Sequence, residues 1–288
     1  MLTLLAPAKI NLTLEVLGKR PDGFHEIRSV TQTINLCDSL RFRLSGKLQF
    51  SCDNPDFVAE ESLVSRAATL LQQVRGFSKG ARIEISKRIP LASGLGGDSS
   101  AATTTLQGLN GLWKLRLSPA ELIELAPRLG SDVAFFLYGG TALVEGRGER
   151  VTPLPSLLHR WVVLLMPPVP RMAEKTRQLY ASLKPNHYTD GQITEEFIRV
   201  LNEGGEFKPS MLFNTFENVA FEFLPELKAY KEHFVRLGAS HVHLAGSGPT
   251  LFTLVEDKAQ AENLYTRCRQ QGLESYLTDT PASVEQVE

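Results

Sequence analysis

Pro90–Ala102 reads PLASGLGGDSSAA, with Gly94, Gly96 and Gly97 set directly ahead of Asp98, Ser99 and Ser100. Glycine lets a backbone approach a ligand with no Cβ in the way. Where such a turn opens a helix, free N–H groups and the positive end of the helix dipole attract anions. The serines can cap that helix, or offer hydroxyls to phosphate or Mg²⁺. The suggested chemistry is phosphate binding, and the same residues also fit a tight turn before a well-capped helix. Asp98 is the awkward member, since a carboxylate repels phosphate. Either it is kept for turn geometry, because Asp tolerates left-handed backbone, or it approaches a phosphate-bound Mg²⁺. The first reading is preferred, because without a metal the second is repulsive. A Walker A loop is excluded, as no Lys follows the glycines, and a dinucleotide fingerprint lacks its last glycine.

Three further residues carry chemical potential. Lys9 and Asn11 alternate on one face of an apolar strand pattern, an unusual place for an ammonium unless that face lines a site. Asp132 follows Gly130-Ser131 and, taken alone, reads as a helix N-cap. His241 and His243 share a strand face, but no third ligand stands near and no metal site is assigned. Cys37, Cys52 and Cys268 are scattered, with no CxxC pair, which argues against disulfides or zinc and for a reducing compartment.

Several elements must position these groups. Ala8–Gly18 alternates as a strand, KRPDGFHE is a turn, and RSVTQTINL and DSLRFRLSG read as two further strands. ESLVSRAATLLQQVRG has helical spacing and ends near Gly76, and ARIEISKRIP is a strand running into the glycine loop. SSAATTTLQGLNGLWKL is a helix beginning at the serines. SPAELIELAPRLG is a helix with Ser118 at N-cap, Pro119 at N1 and Glu121 at N3. A short helical piece and a hairpin follow Asp132. WVVLLMPP opens the second half as a buried strand. Helices are expected at Ala173–Leu183, Thr194–Glu203 and Asn214–Leu237, then a strand–turn–strand at SHVHLAGSGPTLFTLVE and a last helix at DKAQAENLYTRCRQQG. Runs of strands and helices rather than strict alternation indicate α+β, with domains at 1–155 and 156–288.

The 288 residues hold 31 Lys+Arg and 32 Asp+Glu, so no basic field points to nucleic acid. The longest apolar run, Trp161–Met166, falls far short of the about 20 residues a membrane span needs. Lys9 interrupts the N-terminal apolar stretch, against a signal peptide. A soluble intracellular protein is expected.

PLASGLGGDSSAA resembles the second motif of the GHMP kinases, an ATP-binding family named for galactokinase, homoserine, mevalonate and phosphomevalonate kinases. APAKINLTLEVLGKRPDGFHEIRS is similar to the start of the branch that acts on 4-diphosphocytidyl-2-C-methyl-D-erythritol, and PAKINL followed by DGFH is highly specific to it. GSDVAFFLYGGTALVEGRGE and LAGSGPTLF resemble that branch's later motifs, so the likeness runs in order from Ala6 to Phe252. The resemblance implies an N-terminal ribosomal-protein-S5-like domain that binds ATP and a C-terminal ferredoxin-like domain. It implies ATP-dependent phosphorylation of the substrate's 2-hydroxyl, in the methylerythritol phosphate route to isoprenoid precursors.

Residue by residue, the resemblance puts Asp132 and Lys9 at the reacting hydroxyl. Asp132 would take the proton, and Lys9 would lower its pKa and stabilise phosphoryl oxygens. ATP phosphates would lie on Pro90, Gly94, Leu95, Gly96, Gly97, Asp98, Ser99 and Ser100, with Mg²⁺. Asn11 would bond the substrate or hold the lysine. Phe24 would stack on cytosine, His25 would read the base edge, and Tyr180 would be the second aromatic of the sandwich. Gly246, Ser247 and Gly248 would close on phosphates and substrate tail. By themselves the last three fit a β-turn, Phe24 a turn anchor, and Tyr180 a helix-face core residue. The sequence departs from the branch at Asp98 and Ala101, where GLGGGSS[DN]AA is commoner. It also has Ser62 for a frequent Asn and Phe24 for a frequent Tyr. Phe24 would still stack but cannot donate a phenolic hydrogen bond, and Asp98 and Ser62 bear on nucleotide affinity rather than on reaction type. Expected partners are ATP and the small-molecule substrate, without nucleic acid or membrane, in a cytoplasmic monomer or weak homodimer. A non-catalytic nucleotide-binding protein is disfavoured by Lys9 and Asp132, and a small unnucleotidylated alcohol by DGFH.

Overall fold

The computed structural model describes residues 1–281 except Phe77, Arg171, Ala173 and Glu206, together with all but the side chain of Ala59. In chain order come β1 (Leu2–Asn11), β2 (Thr13–Lys19), β3 (His25–Ser45), β4 (Gln49–Cys52), α1 (Leu63–Arg75) and β5 (Gly80–Ser86). Next are α2 (Gly97–Trp113), α3 (Pro119–Leu125), α4 (Val133–Tyr138), β6 (Thr141–Gly146), β7 (Arg150–Pro153) and β8 (Trp161–Leu165). The chain continues with α5 (Lys175–Ser182), α6 (Gln192–Asn202), β9 (Phe213–Asn214), α7 (Glu217–Phe223) and α8 (Pro225–Arg236). It closes with β10 (His243–Leu244), β11 (Leu251–Val255), α9 (Lys258–Gln270) and β12 (Ser275–Asp279). These elements group into two compact units. The first holds Met1–Ala8, Leu36–Leu91 and Gly96–Tyr138, and the second holds Lys9–Asn35, Ala92–Leu95 and Gly139–Glu288.

In the first unit, β5 lies antiparallel to the far part of β3, from Ser39 opposite Ser86 to Ser45 opposite Gly80, and β4 runs parallel along its other edge. Ala81, Ile83 and Ile85 alternate into the core because a strand sends successive side chains to opposite faces. α1 ends at Gly76, whose left-handed φ of 62° lets its N–H reach Gln72 O and Gln73 O. α2 is built of Ala, Thr and Gly and is buried along most of its length. Gly108 is the point of closest approach to the sheet: a Cβ there would lie 2.7 Å from two ring atoms of fully buried Phe42. α3 carries the expected capping box, with Ser118 Oγ accepting from Glu121 N and Glu121 reaching back to Ser118 N.

In the second unit, the near part of β3 pairs antiparallel with β2 and with β6, and β7 extends β6 as a hairpin. β9 adds to β2 in parallel, setting Leu14 opposite Asn214. A separate antiparallel sheet has the order β10-β11-β8-β12. With α9 leading into β12, that order is the split βαβ of ferredoxin-like folds. β8 is central, and Val162–Leu165 are wholly buried. α9 turns Ala261, Leu264 and Cys268 inward.

Three readings of the sequence are corrected. The strand expected over Ala8–Gly18 breaks at Leu12 into β1 and β2. The two strands expected around Asn35 are one 21-residue strand, β3, which passes through both units. The helix expected over Asn214–Leu237 starts with a strand residue, Asn214, and divides at Leu224. There Pro225 takes the first position of α8, where its missing N–H costs nothing. The helix expected from Ala173 is observed from Lys175, and Ala173 itself lies outside the described residues.

Gly108→Ala is expected to lower stability by about 1–2 kcal/mol. Overpacking against Phe42 of about 1–3 kcal/mol exceeds the helix-propensity gain of about 1 kcal/mol. A urea midpoint at or above wild type would show that Phe42 yields to the added methyl.

Candidate active site

In the second unit, the end of β1 presents Lys9 and Asn11, each only 6% exposed. Lys9 Nζ donates to Asn11 Oδ1 at 2.8 Å. The Asn11 amide donates to Ser29 Oγ at 2.9 Å and Thr31 Oγ1 at 3.2 Å on β3. Those hydroxyls orient the amide, so its oxygen faces the ammonium and its NH₂ faces the sheet.

The Ala92–Leu95 limb of the glycine loop lies on the same strand, with Lys9 N donating to Leu95 O at 2.9 Å. Ser93 O accepts from Thr250 N at 3.3 Å. Gly94 has φ 86°, and a Cβ on it would stand 2.1 Å from Ala245 O. Gly246 has φ 55°, and a Cβ there would stand 2.9 Å from Gly94 O and 3.2 Å from Lys9 Nζ. The two glycine turns therefore meet backbone to backbone, a contact that any side chain would prevent. Asn214 Nδ2 ties the second turn by donating to Leu244 O and Gly246 O, both at 2.8 Å. Thr176 Oγ1 and Ser247 Oγ are 2.7 Å apart. Lys175 Nζ donates to Ala92 O at 3.1 Å and, in a shorter contact, to Gly248 O. Burial pulls the Lys175 ammonium down to a pKa of about 8.

The same unit holds an aromatic wall. His25 stacks on Tyr180 with centroids 4.9 Å apart and planes at 18°, and Tyr188 meets the imidazole edge-on at 6.0 Å. Tyr180 rests edge-to-face on Phe216 at 4.8 Å. Burial, with Lys19 nearby, holds His25 below its ordinary pKa, so its ring is neutral near pH 7. Phe24 is 52% exposed and lies under the Arg147 guanidinium, 4.6 Å from its ring centre. Its N–H donates to Asp22 Oδ1 at 3.1 Å, an Asx turn that shapes the DGFH bend.

In the first unit, the remaining limb of the glycine loop opens α2. Gly96, at φ 73°, is the N-cap, and Ser100 N donates to Gly96 O at 2.9 Å. The helix thus starts before the serines, at Gly97, so Ser99 and Ser100 lie inside the first turn and do not cap it. The N–H groups of Gly96 to Ser99 have no intrahelical acceptor, the condition for an anion cradle. Among the described residues, Ser100 Oγ is buried there without a hydrogen-bond partner. The left-handed positions around the loop are Ala92, Gly94 and Gly96. Asp98 is helical instead, which removes turn geometry as the reason for its presence.

Lys87 sits beside this helix start, 3.3 Å from where a Cβ on Gly97 would be. Its ammonium meets fully buried Asp38 at 2.5 Å. Asp38 also accepts from Arg88 N at 2.7 Å and Ile89 N at 2.8 Å. Lys87 Nζ is 4.0 Å from Asp98 Oδ1. Crowding raises the Asp98 pKa, opposed by Lys87 and reinforced by Asp38, yet 56% of its side-chain surface is open to solvent. Pro90 joins β5 to the loop, Leu95 is buried, Ser62 is the N-cap of α1, and Asp132 directly precedes α4.

The structure therefore gathers Lys9, Asn11, Gly94, Leu95, Gly246, Ser247 and Gly248 in one unit, which also contains His25 stacked on Tyr180. Gly96 to Ser100 and Asp132 belong to the other unit. Sequence reasoning missed Lys87, Lys175, Asn214 and Tyr188. For Lys87 a signal existed, a cation between a strand and an anion-type turn. The others become neighbours of the site only through tertiary packing.

Residues 62–140 match the GHMP kinases N terminal domain, and residues 194–273 match the GHMP kinases C terminal domain. The chain belongs to the GHMP kinase family. It is 49% identical over 280 residues to a 4-diphosphocytidyl-2-C-methyl-D-erythritol kinase of Dehalococcoides mccartyi, covering 97% of this chain and 98% of the relative. It is 40% identical over 284 residues to the kinase of the same name from Pelotomaculum thermopropionicum, covering 97% and 98%. A crystal structure of 4-(cytidine 5'-diphospho)-2C-methyl-D-erythritol kinase superposes with a TM-score of 0.82 at 32% identity, covering 97% of this chain and all of that one. Homoserine kinase from Cytophaga hutchinsonii shares the fold, with a TM-score of 0.75 at 19% identity, covering 97% of this chain and 94% of that one.

Lys87→Met leaves Asp38 buried with backbone donors alone and is expected to destabilise the protein by about 3–5 kcal/mol. Asp98→Asn, at an exposed position, is expected to change stability by no more than about 1 kcal/mol. Equal denaturation midpoints for the two variants would show that Lys87 is not the essential partner of Asp38.

Proposed function

We propose that the chain transfers the γ-phosphoryl group of ATP to the 2-hydroxyl of 4-diphosphocytidyl-2-C-methyl-D-erythritol. The observation that carries this reading is the joint presence, in one unit, of a stacked His25–Tyr180 platform and two glycine turns beside Lys9. A substrate with a pyrimidine at one end and a diphosphate behind it asks for a ring platform and for close backbone N–H groups. Near full-length likeness to kinases named for that substrate supports the same conclusion.

Phosphoryl transfer needs positioning and charge stabilisation more than covalent chemistry. Asp132 is assigned as the base that takes the hydroxyl proton, and Lys9 as the cation that stabilises phosphoryl oxygens. The relay from Ser29 and Thr31 through Asn11 fixes the Lys9 ammonium, so little reorganisation is left for the reaction. Pro90, Gly94, Leu95, Gly96, Gly97, Asp98, Ser99 and Ser100 are assigned to ATP, with the free N–H groups at the start of α2 as the main donors. His25 is assigned to read the base edge, Phe24 to stack on cytosine and Tyr180 to be the second aromatic of the sandwich. Gly246, Ser247 and Gly248 are assigned to phosphates and substrate tail.

The described residues contain no cluster of three or more His, Cys, Asp or Glu side chains that could hold a metal. Nucleotide-bound Mg²⁺ draws most ligands from phosphates and water, and one carboxylate is enough on the protein side. Asp98, open to solvent in the first turn of α2, fits that requirement. The ion would neutralise charge on the ATP phosphates. No helix among the described residues is long and apolar enough to cross a membrane. A cytoplasmic monomer or weak homodimer with domains at 1–155 and 156–288 completes the proposal, and the two matched family domains lie on either side of that division.

The test is ADP release in a coupled assay with purified 4-diphosphocytidyl-2-C-methyl-D-erythritol. Absence of turnover by folded protein would overturn the reading. Asp132→Asn is expected to bind ATP normally and lose about 10²–10⁴-fold in turnover, and full activity would remove the base assignment. Tyr180→Ala is expected to raise the KM for the cytidyl substrate by about 5–150-fold, from about 1–3 kcal/mol of lost stacking, while sparing the KM for ATP. A rise confined to ATP would contradict the base platform.

A further inference from the structure

Lys175 opens α5, and its ammonium donates to Ala92 O at 3.1 Å and to Gly248 O. One carbonyl belongs to each of the two glycine turns. Holding them together opposes local strain, because Ala92 has a left-handed φ of 54° and is not a glycine. Among the described residues no carboxylate pairs with this ammonium. Adjacent Glu174 is engaged by Arg177 at 3.1 Å. Thr176, next along the helix, meets Ser247. On the Gly246–Gly248 turn itself the side chains are uncharged, and the Lys9 ammonium, bonded to Asn11, stands 3.2 Å from where a Cβ on Gly246 would be. His25 lies against Tyr180 at the other end of α5, its pKa lowered by burial and by nearby Lys19.

A partly desolvated cation facing only carbonyl oxygens is costly unless a counter-charge arrives. An ammonium has three donors, and two are taken. We propose that Lys175 is an anion-binding residue of the site, with two N–H groups clamping the glycine turns and the third contacting a phosphate oxygen of a bound nucleotide. The identity of that anion rests on the kinase reading above. The phosphate belongs either to ATP or to the cytidyl diphosphate, and the test separates them.

Full-length wild type, Lys175→Met and Lys175→Arg are titrated calorimetrically with ADP and, separately, with CDP. Lys175→Met is expected to weaken one of the two by about 10–150-fold, the worth of one charge-assisted hydrogen bond, and the affected probe identifies the source. Lys175→Arg is expected to restore most of that loss. Wild-type affinity for that probe is expected to fall as pH rises through about 8, where the ammonium loses its proton, and Lys175→Arg is expected to show no such fall. The free wild-type protein shows the opposite sign. Its folded state binds this proton less tightly than the unfolded chain, so stability rises from about pH 8 towards the ordinary lysine range. Lys175→Met lacks that increment.

Unchanged affinity of Lys175→Met for both probes overturns the proposal. So does a loss that Lys175→Arg fails to restore when circular dichroism and melting match wild type, since that marks a clamp without an anion contact. These titrations need no turnover. A wild-type chain that binds ADP or CDP but transfers no phosphoryl group tells against the kinase reading alone. A wild-type chain that binds neither overturns both.

Discussion

Two glycine turns pressed backbone to backbone set the terms for the second unit. Gly94 and the Ala245–Gly246 peptide approach so closely that a Cβ on either glycine would fall inside contact distance of a main-chain oxygen. Three neighbouring polar groups help make that approach tolerable. Asn214 satisfies two carbonyls of one turn, Lys175 spans a carbonyl of each, and Lys9 N satisfies Leu95 O. The result is a pair of loops whose shape is imposed by their surroundings, which is the preorganisation that phosphoryl transfer requires.

The first unit handles charge differently. Asp38 is fully buried and would be severely penalised alone, but it receives Lys87 and two backbone N–H groups. Those N–H groups belong to Arg88 and Ile89, so the carboxylate also bends the chain leaving β5 towards α2. Lys87 is thereby delivered to the N-terminal end of that helix, where its charge adds to the dipole. Asp98, facing solvent 4.0 Å from it, tempers this local field without occupying the free N–H groups.

The aromatic wall draws one ring from each of several elements: His25 from the start of β3, Tyr180 from α5, Tyr188 from the segment after it, and Phe216 ahead of α7. α5 carries Tyr180 and, more than one turn earlier, Lys175. One short helix therefore contributes both to the ring platform and to the bridge between the glycine turns.

Local chemistry was legible in the sequence wherever it depended on neighbours along the chain. The glycine run, the Ser118–Glu121 capping box, the alternation of β5 and the Lys9–Asn11 spacing all express interactions within a few residues. So did the family resemblance, whose motifs are contiguous. Readings failed where a distant partner decided. β3 runs on through Asn35, between a stretch paired with β6 and one paired with β5, and Asn214 joins a strand because β2 offers an edge. Asp98 proved helical because α2 begins at Gly97 rather than at the serines. Lys175 and Tyr188 carry no mark of function in their own segments. Their places beside the site come from contacts across 73 and 163 positions of chain, to Gly248 and His25, which no local pattern encodes. The sequence by itself determined which residues could do the chemistry, because residue type and short spacing set donor, acceptor and backbone freedom. Only the tertiary structure decided which of them meet, because burial and long-range pairing are properties of the packed chain.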